Sequence, residues 1–262
     1  MNTKNTKSIL VVSFGTSYDD TREKTIDKLE EDLQNAFPDR KFYLAWTSKM
    51  IIKKIWKRDG IKIHTVTEAM EEMLADGIRD VVIQPTHILG GVENDFMTED
   101  AMAFADQFDS IVIGDPLLIE TEDYFATIDA VTAEYDVPKD EALVFMGHGT
   151  THQTNSVYAA LDYMFKDSGH ENYFMGTVEA YPEFENMLKL LKKSPYQKVT
   201  LAPFMIVAGD HANNDMAGDE DDAWKTMLEK EGYEVSCVLK GLGEIPAIRR
   251  IFTEHALKAV KN

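Results

Sequence analysis

The chain has 262 residues, of which 44% are hydrophobic and 10% aromatic, and its formal net charge is −19. This length allows a substantial buried core in one large or two small domains, while the longest apolar runs are far too short to span a membrane. The single cysteine, Cys237, excludes an intramolecular disulfide, a thiolate-ligated cluster and a CxxC redox site.

The negative charge is spread over both halves of the chain. Such a surface repels nucleic acid and anionic lipid but not metal cations. The N-terminal segment lacks the long apolar run of a signal peptide. We therefore expect a cytoplasmic protein with no nucleic acid or membrane partner, and the sequence leaves a homo-oligomer open.

Strand-like and helix-like segments alternate from the N-terminus onward. The first strand, "SILVVSF" (8–14), precedes a helical pattern of apolar residues that reaches Phe37, with Asp19 or Asp20 placed to cap the helix. Further strands are predicted at 41–46, 81–85 and 110–116. Because several of these strands are apolar on both faces, the pattern predicts a parallel sheet covered by helices.

The same order starts again after "EYDVPKDE" (134–141). Most clearly, "VIQPTHILGGVENDFM" (82–97) matches "TLAPFMIVAGDHANNDM" (200–216) with one residue inserted. This repetition predicts an α/β fold of two similar lobes, each a parallel sheet flanked by helices. We place the N-terminal lobe at residues 1–136 and the C-terminal lobe at 137–262, with the last helix a candidate to pack back on the first lobe.

Residues with metal-binding side chains follow three strands of the second lobe. His148 comes after the first strand, Glu179 after the second and His211 after the third. Ligands of open parallel sheets bind outside the carboxyl ends of the strands, so the three side chains are expected at one edge. Two histidines and a carboxylate suit a divalent first-row metal with positions left open for substrate or water.

Each of these residues also has a purely structural interpretation. His148 is flanked by two glycines, Gly147 and Gly149. They either clear space for a flat ligand or serve a tight turn. Glu179 could begin the next helix, and a lone histidine after a strand is often a satisfied hydrogen-bonding residue. The coincidence of all three at one edge favours the metal site.

Other side chains near these positions have simpler interpretations. His148 and His152 are four residues apart, but no HExxH glutamate lies between them, which argues against a ligand pair on a helix. Asn213, Asn214 and Asp215 are interpreted as supports of the His211 loop.

Six segments together resemble the anaerobic sirohydrochlorin cobaltochelatase family, class II chelatases of corrinoid biosynthesis. They are "SFGTSYDDTR", "AWTSKMI", "QPTHILGGVEND", "MGHGTTH", "TVEAYP" and "GDHANNDMAGD". The resemblance extends nearly end to end, from about Ser8 to the last helix. It implies two similar α/β lobes with an active-site cleft between them.

The resemblance also implies a reaction and its residues. Co2+ enters sirohydrochlorin in anaerobic cobalamin biosynthesis and two pyrrole protons leave, with no ATP and no organic cofactor. His148 and His211 are implied as catalytic and metal-binding, and Glu179 as a metal ligand. Glu93 is implied as a catalytic carboxylate of the first lobe, although its surroundings, "GGVEND", depart from the commoner acidic pair.

An acidic protein still has to hold an anionic tetrapyrrole. We expect Lys53 and Lys54, in the basic segment "KKIWKR", to bind the macrocycle together with the backbone at Gly15 and Gly149. The alternative for the lysines is a solvated helix face. Two wider alternatives stay open: a chelatase for Fe2+, Ni2+ or Zn2+ in the same site, and a non-catalytic cytoplasmic protein that binds a metal or tetrapyrrole.

Overall fold

The computed structural model describes residues 6–261. The chain forms two compact units: the first runs to Ile119 and includes the chain from Pro246 onward, and the second comprises Glu120–Ile245. Each unit contains a four-stranded sheet in which every pairing is parallel. Within the described part of the chain, no helix has the length and apolar character needed to cross a membrane.

The first unit has strands in the order β2-β1-β3-β4. The strands are β1 (Lys7–Ser13), β2 (Lys41–Trp46), β3 (Asp80–Pro85) and β4 (Ser110–Ile113). Its helices are α1 (Asp19–Lys24), α2 (Ile26–Ala36), α3 (Lys49–Asp59), α4 (Val66–Ala75), α5 (Val92–Met102) and the final helix of the chain, α10 (Pro246–Ala259).

Alternate side chains of β1 pack into two different layers of core. Leu10 and Val12 are buried with residues of α4 and α5, whereas Ile9 and Val11 are buried with residues that include Ala256 of α10. A strand apolar on both faces is typical of a parallel sheet covered by helices on both sides. The sheet edge is thereby left as the place where polar side chains can gather.

The first predicted helix is divided in the structure. α1 ends at Lys24 and α2 begins at Ile26, because the intervening Thr25 leaves helical geometry with φ −121° and ψ −78°. The Thr25 hydroxyl donates a hydrogen bond to the Thr21 carbonyl at 2.6 Å. The prediction that Asp19 or Asp20 caps the helix is wrong, because both lie inside the first turn of α1.

The second unit repeats the same strand order, β6-β5-β7-β8. Its strands are β5 (Glu141–Gly147), β6 (Tyr173–Thr177), β7 (Lys198–Phe204) and β8 (Glu234–Cys237), and its helices are α6 (Thr121–Glu134), α7 (Ser156–Asp167), α8 (Phe184–Leu191) and α9 (Trp224–Lys230). The predicted fold class, two similar α/β units with parallel sheets, is confirmed.

The structural units divide the chain at a different place from the predicted boundary after residue 136. Tyr135, at the end of α6, packs edge-on against Phe145 of β5 at 5.5 Å between ring centroids. Its carbonyl accepts a hydrogen bond from the Tyr173 hydroxyl at 2.6 Å. These contacts place α6 in the second unit. At the other end of the chain, Arg249 of α10 forms an ion pair with Asp32 of α2 at 2.6 Å, within the first unit.

His87 is a buried histidine just beyond the end of β3. Burial lowers its pKa to about 4, against an opposing contribution from the Asn94 side chain. In the unfolded chain the ring titrates near 6.5. Between these two values the unfolded state binds more protons, so His87 contributes stability that is complete above pH 6.5 and is lost as the pH falls towards 4.

Replacing His87 by Gln is therefore expected to flatten the pH dependence of stability. Between pH 7 and pH 4 the free energy of unfolding of the unsubstituted protein should fall by about 3 kcal/mol more than that of the variant. Denaturant unfolding at a series of pH values measures this difference. Between pH 7 and pH 8 the two curves should run parallel, because His87 is neutral in both states there. Parallel curves of unfolding free energy from pH 4 to pH 8 would contradict the lowered pKa of His87.

Candidate metal site

His148 leaves the end of β5 in a turn whose backbone is fixed by close contacts. Gly149 has a left-handed φ of +84°, which favours glycine, and a Cβ there would lie 2.9 Å from the Ala180 backbone nitrogen. The backbone amides of His148 and Gly149 hydrogen-bond to the hydroxyl of Tyr158, whose ring would lie 2.4 Å from a Cβ at Gly147. The two glycines thus serve a tight turn.

Glu179 lies beyond the end of β6, and its backbone is tied to the His148 turn. Its amide donates to the His148 carbonyl at 3.0 Å, and the amide of Val178 donates to the Gly147 carbonyl at 3.0 Å. The following helix, α8, takes Glu183 as its capping residue. The alternative that Glu179 starts this helix is therefore wrong, and its carboxylate is left at the sheet edge.

His211 follows β7 and leads into a π-helical turn, Ala212–Met216. The His211 side chain makes no capping hydrogen bond. Instead, its Nδ1 atom lies 2.6 Å from Oδ2 of Asp215. The π-turn is a rare conformation that is enriched at functional sites.

The three side chains meet at the carboxyl edge of the second sheet. The His148 and His211 rings are 4.7 Å apart between centroids and nearly perpendicular, at 87°. Nδ1 of His148 lies 3.7 Å from Oε2 of Glu179, and one ligand atom from each residue lies within 4.8 Å of the others. The side chains are 43%, 55% and 31% exposed for His148, Glu179 and His211, so solvent and a ligand can reach all three.

This geometry fits a metal ion with little adjustment. Nitrogen and oxygen donors hold a divalent first-row ion at about 2.1 Å, so two donors of one ion lie no more than about 4.2 Å apart. Small rotations of partly exposed side chains close the observed spacing. Three protein donors leave the remaining coordination positions of the ion open to water or substrate.

His152 has a different role from the three. Its Nδ1 atom lies 2.9 Å from the Thr154 hydroxyl and accepts a hydrogen bond from the Thr154 amide. It therefore stabilises the short helical turn that precedes α7. The interpretation of His148 and His152 as a ligand pair is not supported by these contacts.

The remaining candidate residues belong to the first unit. Gly15 has a φ of +98°, and a Cβ there would lie 2.5 Å from the Trp46 ring, so close packing requires glycine. Lys53 and Lys54 are exposed on α3. Glu93 is partly exposed in the first turn of α5.

Two residues that support the site, Asp215 and Tyr158, differ in how far the sequence reveals their role. The spacing of four between His211 and Asp215 is visible in the sequence and is the spacing of side chains that meet on a helix face. The contact between Tyr158 and the His148 turn joins α7 to the end of β5 and has no local signal. Burial raises the pKa of Tyr158 to about 12, so its hydroxyl stays protonated beneath the turn.

Comparison with known proteins identifies the family. The family described as Cobalt chelatase (CbiK) matches residues 7–261. The chain belongs to this family. The resemblance inferred from the sequence motifs is thereby confirmed.

Two curated relatives match nearly the whole chain. A sirohydrochlorin cobaltochelatase of Salmonella typhimurium is 41% identical, over 97% of this chain and 96% of the relative. Sirohydrochlorin cobaltochelatase CbiKC of Nitratidesulfovibrio vulgaris is 31% identical, over 97% and 90%. Among solved structures, SirB from Bacillus subtilis with Fe3+ has a TM-score of 0.66 at 14% identity, over 97% of this chain and 95% of that one, which shows a shared fold.

Replacing Gly149 by Ala tests whether the turn sets the metal site. The new Cβ would push against Ala180 and displace His148 from Glu179, so we expect Co2+ affinity to fall about tenfold or more in calorimetric titration. Gly169→Ala is the matched control, because Gly169 has a similar φ of +89° with nothing within 4 Å of its Cβ. Co2+ binding as tight in Gly149→Ala as in Gly169→Ala would show that the turn does not position His148.

Proposed function

We propose that this chain inserts Co2+ into sirohydrochlorin, without ATP, in anaerobic cobalamin biosynthesis. The observation that carries the proposal is the cluster of His148, Glu179 and His211 at one sheet edge. It occurs in a chain of the cobalt chelatase (CbiK) family. Two relatives that match nearly the whole chain are named sirohydrochlorin cobaltochelatases.

The reaction exchanges two protons for one metal ion. Two pyrrole N–H bonds break, each nitrogen keeps its electron pair, and the pairs form bonds to Co2+ as the protons pass to bases. No atom changes oxidation state, so no redox cofactor is required. A site that bends the macrocycle exposes the nitrogen lone pairs and lowers the barrier to metal entry.

His148, Glu179 and His211 hold the incoming Co2+ in this proposal. Neutral imidazole and carboxylate are suitable donors for a first-row divalent ion. Because the three side chains are partly exposed, the pyrrole nitrogens can replace them one at a time. The same donors accept Ni2+, Fe2+ or Zn2+, since the affinity of such a site follows the general order of first-row divalent metals and does not depend on the biosynthetic role of the protein.

The two pyrrole protons must be accepted by bases that are neutral or anionic at the working pH. Neutral imidazole is a common proton acceptor in enzymes, and we assign this role to His148 and His211. We assign Glu93, in the first turn of α5, as a further catalytic carboxylate. This assignment rests on the family pattern, from which the local sequence "GGVEND" departs.

The polycarboxylate substrate needs positive charge in a protein of net charge −19. Lys53 and Lys54 are exposed on α3, and we assign them to the carboxylates of the macrocycle. Arg58, in the same basic segment, is instead occupied by Asp19 and Asp59. For Gly15 and Gly149 the contacts support an indirect role: Gly15 shapes the turn that follows β1, and Gly149 shapes the turn that carries His148.

The proposal is tested by following the visible spectrum of sirohydrochlorin mixed with Co2+ and purified protein. Insertion should be much faster than the uncatalysed reaction, and His148→Ala or His211→Ala should each reduce the rate by about 100-fold or more. His170→Ala, which alters a histidine packed against Tyr173, is the matched control and should retain the rate.

Two results would contradict the proposal. Insertion no faster than in the absence of protein would leave a metal- or tetrapyrrole-binding protein as the better description. Near-normal rates in either site variant would show that the site assignment is wrong. Comparison of Co2+ with Fe2+ and Ni2+ in the same assay identifies the metal preference.

A further inference from the structure

The two histidines of the site have different hydrogen-bond partners at Nδ1. Nδ1 of His211 lies 2.6 Å from Oδ2 of Asp215, whereas Nδ1 of His148 lies 2.9 Å from the carbonyl oxygen of Gly149. A carboxylate and a carbonyl only accept hydrogen bonds. Each neutral ring therefore carries its proton on Nδ1 and keeps the lone pair on Nε2.

We propose that Asp215 is a positioning residue that fixes the orientation and tautomer of His211, so that Nε2 of His211 faces the metal. The inference rests on the proposed function and deepens it. A charged acceptor makes a stronger hydrogen bond than a neutral one, and a carboxylate behind a metal-binding imidazole raises its strength as a donor. His211 is thereby the more firmly set of the two histidines.

The backbone brings Asp215 to His211 through the π-turn. The amide of Ala217 donates to the carbonyl of Ala212 at 3.2 Å, the five-residue spacing of a π-helix. Asp215 lies within this turn, four residues after His211. A side chain at that spacing lies on the same helix face as the imidazole.

The turn is held by contacts that do not involve the Asp215 side chain. The Asn213 side-chain amide donates to the carbonyls of Ala208 and Gly209, at 3.1 and 2.7 Å. Gly218 passes so close to Asn214 that a Cβ would lie 2.3 Å from the Asn214 carbonyl oxygen. A substitution of Asp215 therefore removes the hydrogen bond to His211 while these contacts keep the backbone in place.

Asp215 also differs from the other acidic residues that follow it. Asp219 pairs with Lys225 at 3.0 Å and Asp221 with Lys230 at 2.6 Å. In the part of the chain that the structure describes, the Asp215 carboxylate pairs with the His211 imidazole. The carboxylate thus serves the site and not the surface network of lysines.

The test combines nitrogen-15 NMR of histidine-labelled protein with calorimetric titration of Co2+ alone. At a pH well above 6.5, where free histidine is neutral, His211 should be in the Nδ1–H form. Asp215→Ala should give a mixture of tautomers and lower Co2+ affinity about 10- to 100-fold. Asp219→Asn removes one charge from the same segment and should keep the tautomer, with an affinity within about twofold.

An unchanged tautomer and affinity in Asp215→Ala would overturn the inference. Equal loss of affinity in Asp215→Ala and Asp219→Asn would also overturn it, because charge alone would then explain the effect. If Asp215→Ala fails to fold, Asp215→Asn, which keeps the side-chain shape, is judged by the same two readings. Neither reading uses sirohydrochlorin, so failure of the proposed function is seen separately in the insertion assay.

Discussion

The candidate site depends on the parallel pairing of β6, β5 and β7. Because all three strands run in one direction, the segments that follow them emerge at the same edge of the sheet. The backbone continues this pairing past the strand ends, where the Glu179 amide donates to the His148 carbonyl. Two candidate ligands are thus tied together through main-chain atoms, and their side chains are left at the sheet edge. His211 joins them from the far side of the central strand, through a longer segment that needs its own support.

The three candidate ligands are supported by different contacts. The His148 turn is packed on Tyr158, and the His211 segment is shaped by the π-turn and by Asp215. Glu179 has the most exposed side chain of the three, at 55%. In the proposed reaction this arrangement would let the Glu179 carboxylate release the ion to the macrocycle while the imidazoles stay in place. The net charge of −19 favours capture of the cation. Because the same charge repels an anionic tetrapyrrole, binding of that substrate needs local positive charge.

The strands, and the meeting of three candidate ligands at one sheet edge, could be predicted from the sequence for a physical reason. Strands buried on both faces are continuous apolar runs, and the polar residue after each run is then at the ligand-binding edge. The break at Thr25, the contact of Tyr158 with the His148 turn and the placement of α6 in the second unit were not predicted. The Tyr158 contact and the placement of α6 arise from packing between separate elements, and the break at Thr25 arises from a local backbone conformation that interrupts an otherwise helical pattern. The Asp215 contact is intermediate: its spacing from His211 is visible, but only the structure selects it from the three polar residues of the loop.

Anomalous diffraction at the cobalt edge, from crystals soaked with Co2+, tests the central claim most directly. We predict one strong peak within about 2.5 Å of Nε2 of His148, Nε2 of His211 and a carboxylate oxygen of Glu179. A cobalt peak confined to the acidic segment 219–222, with none between the two histidines, would contradict the account.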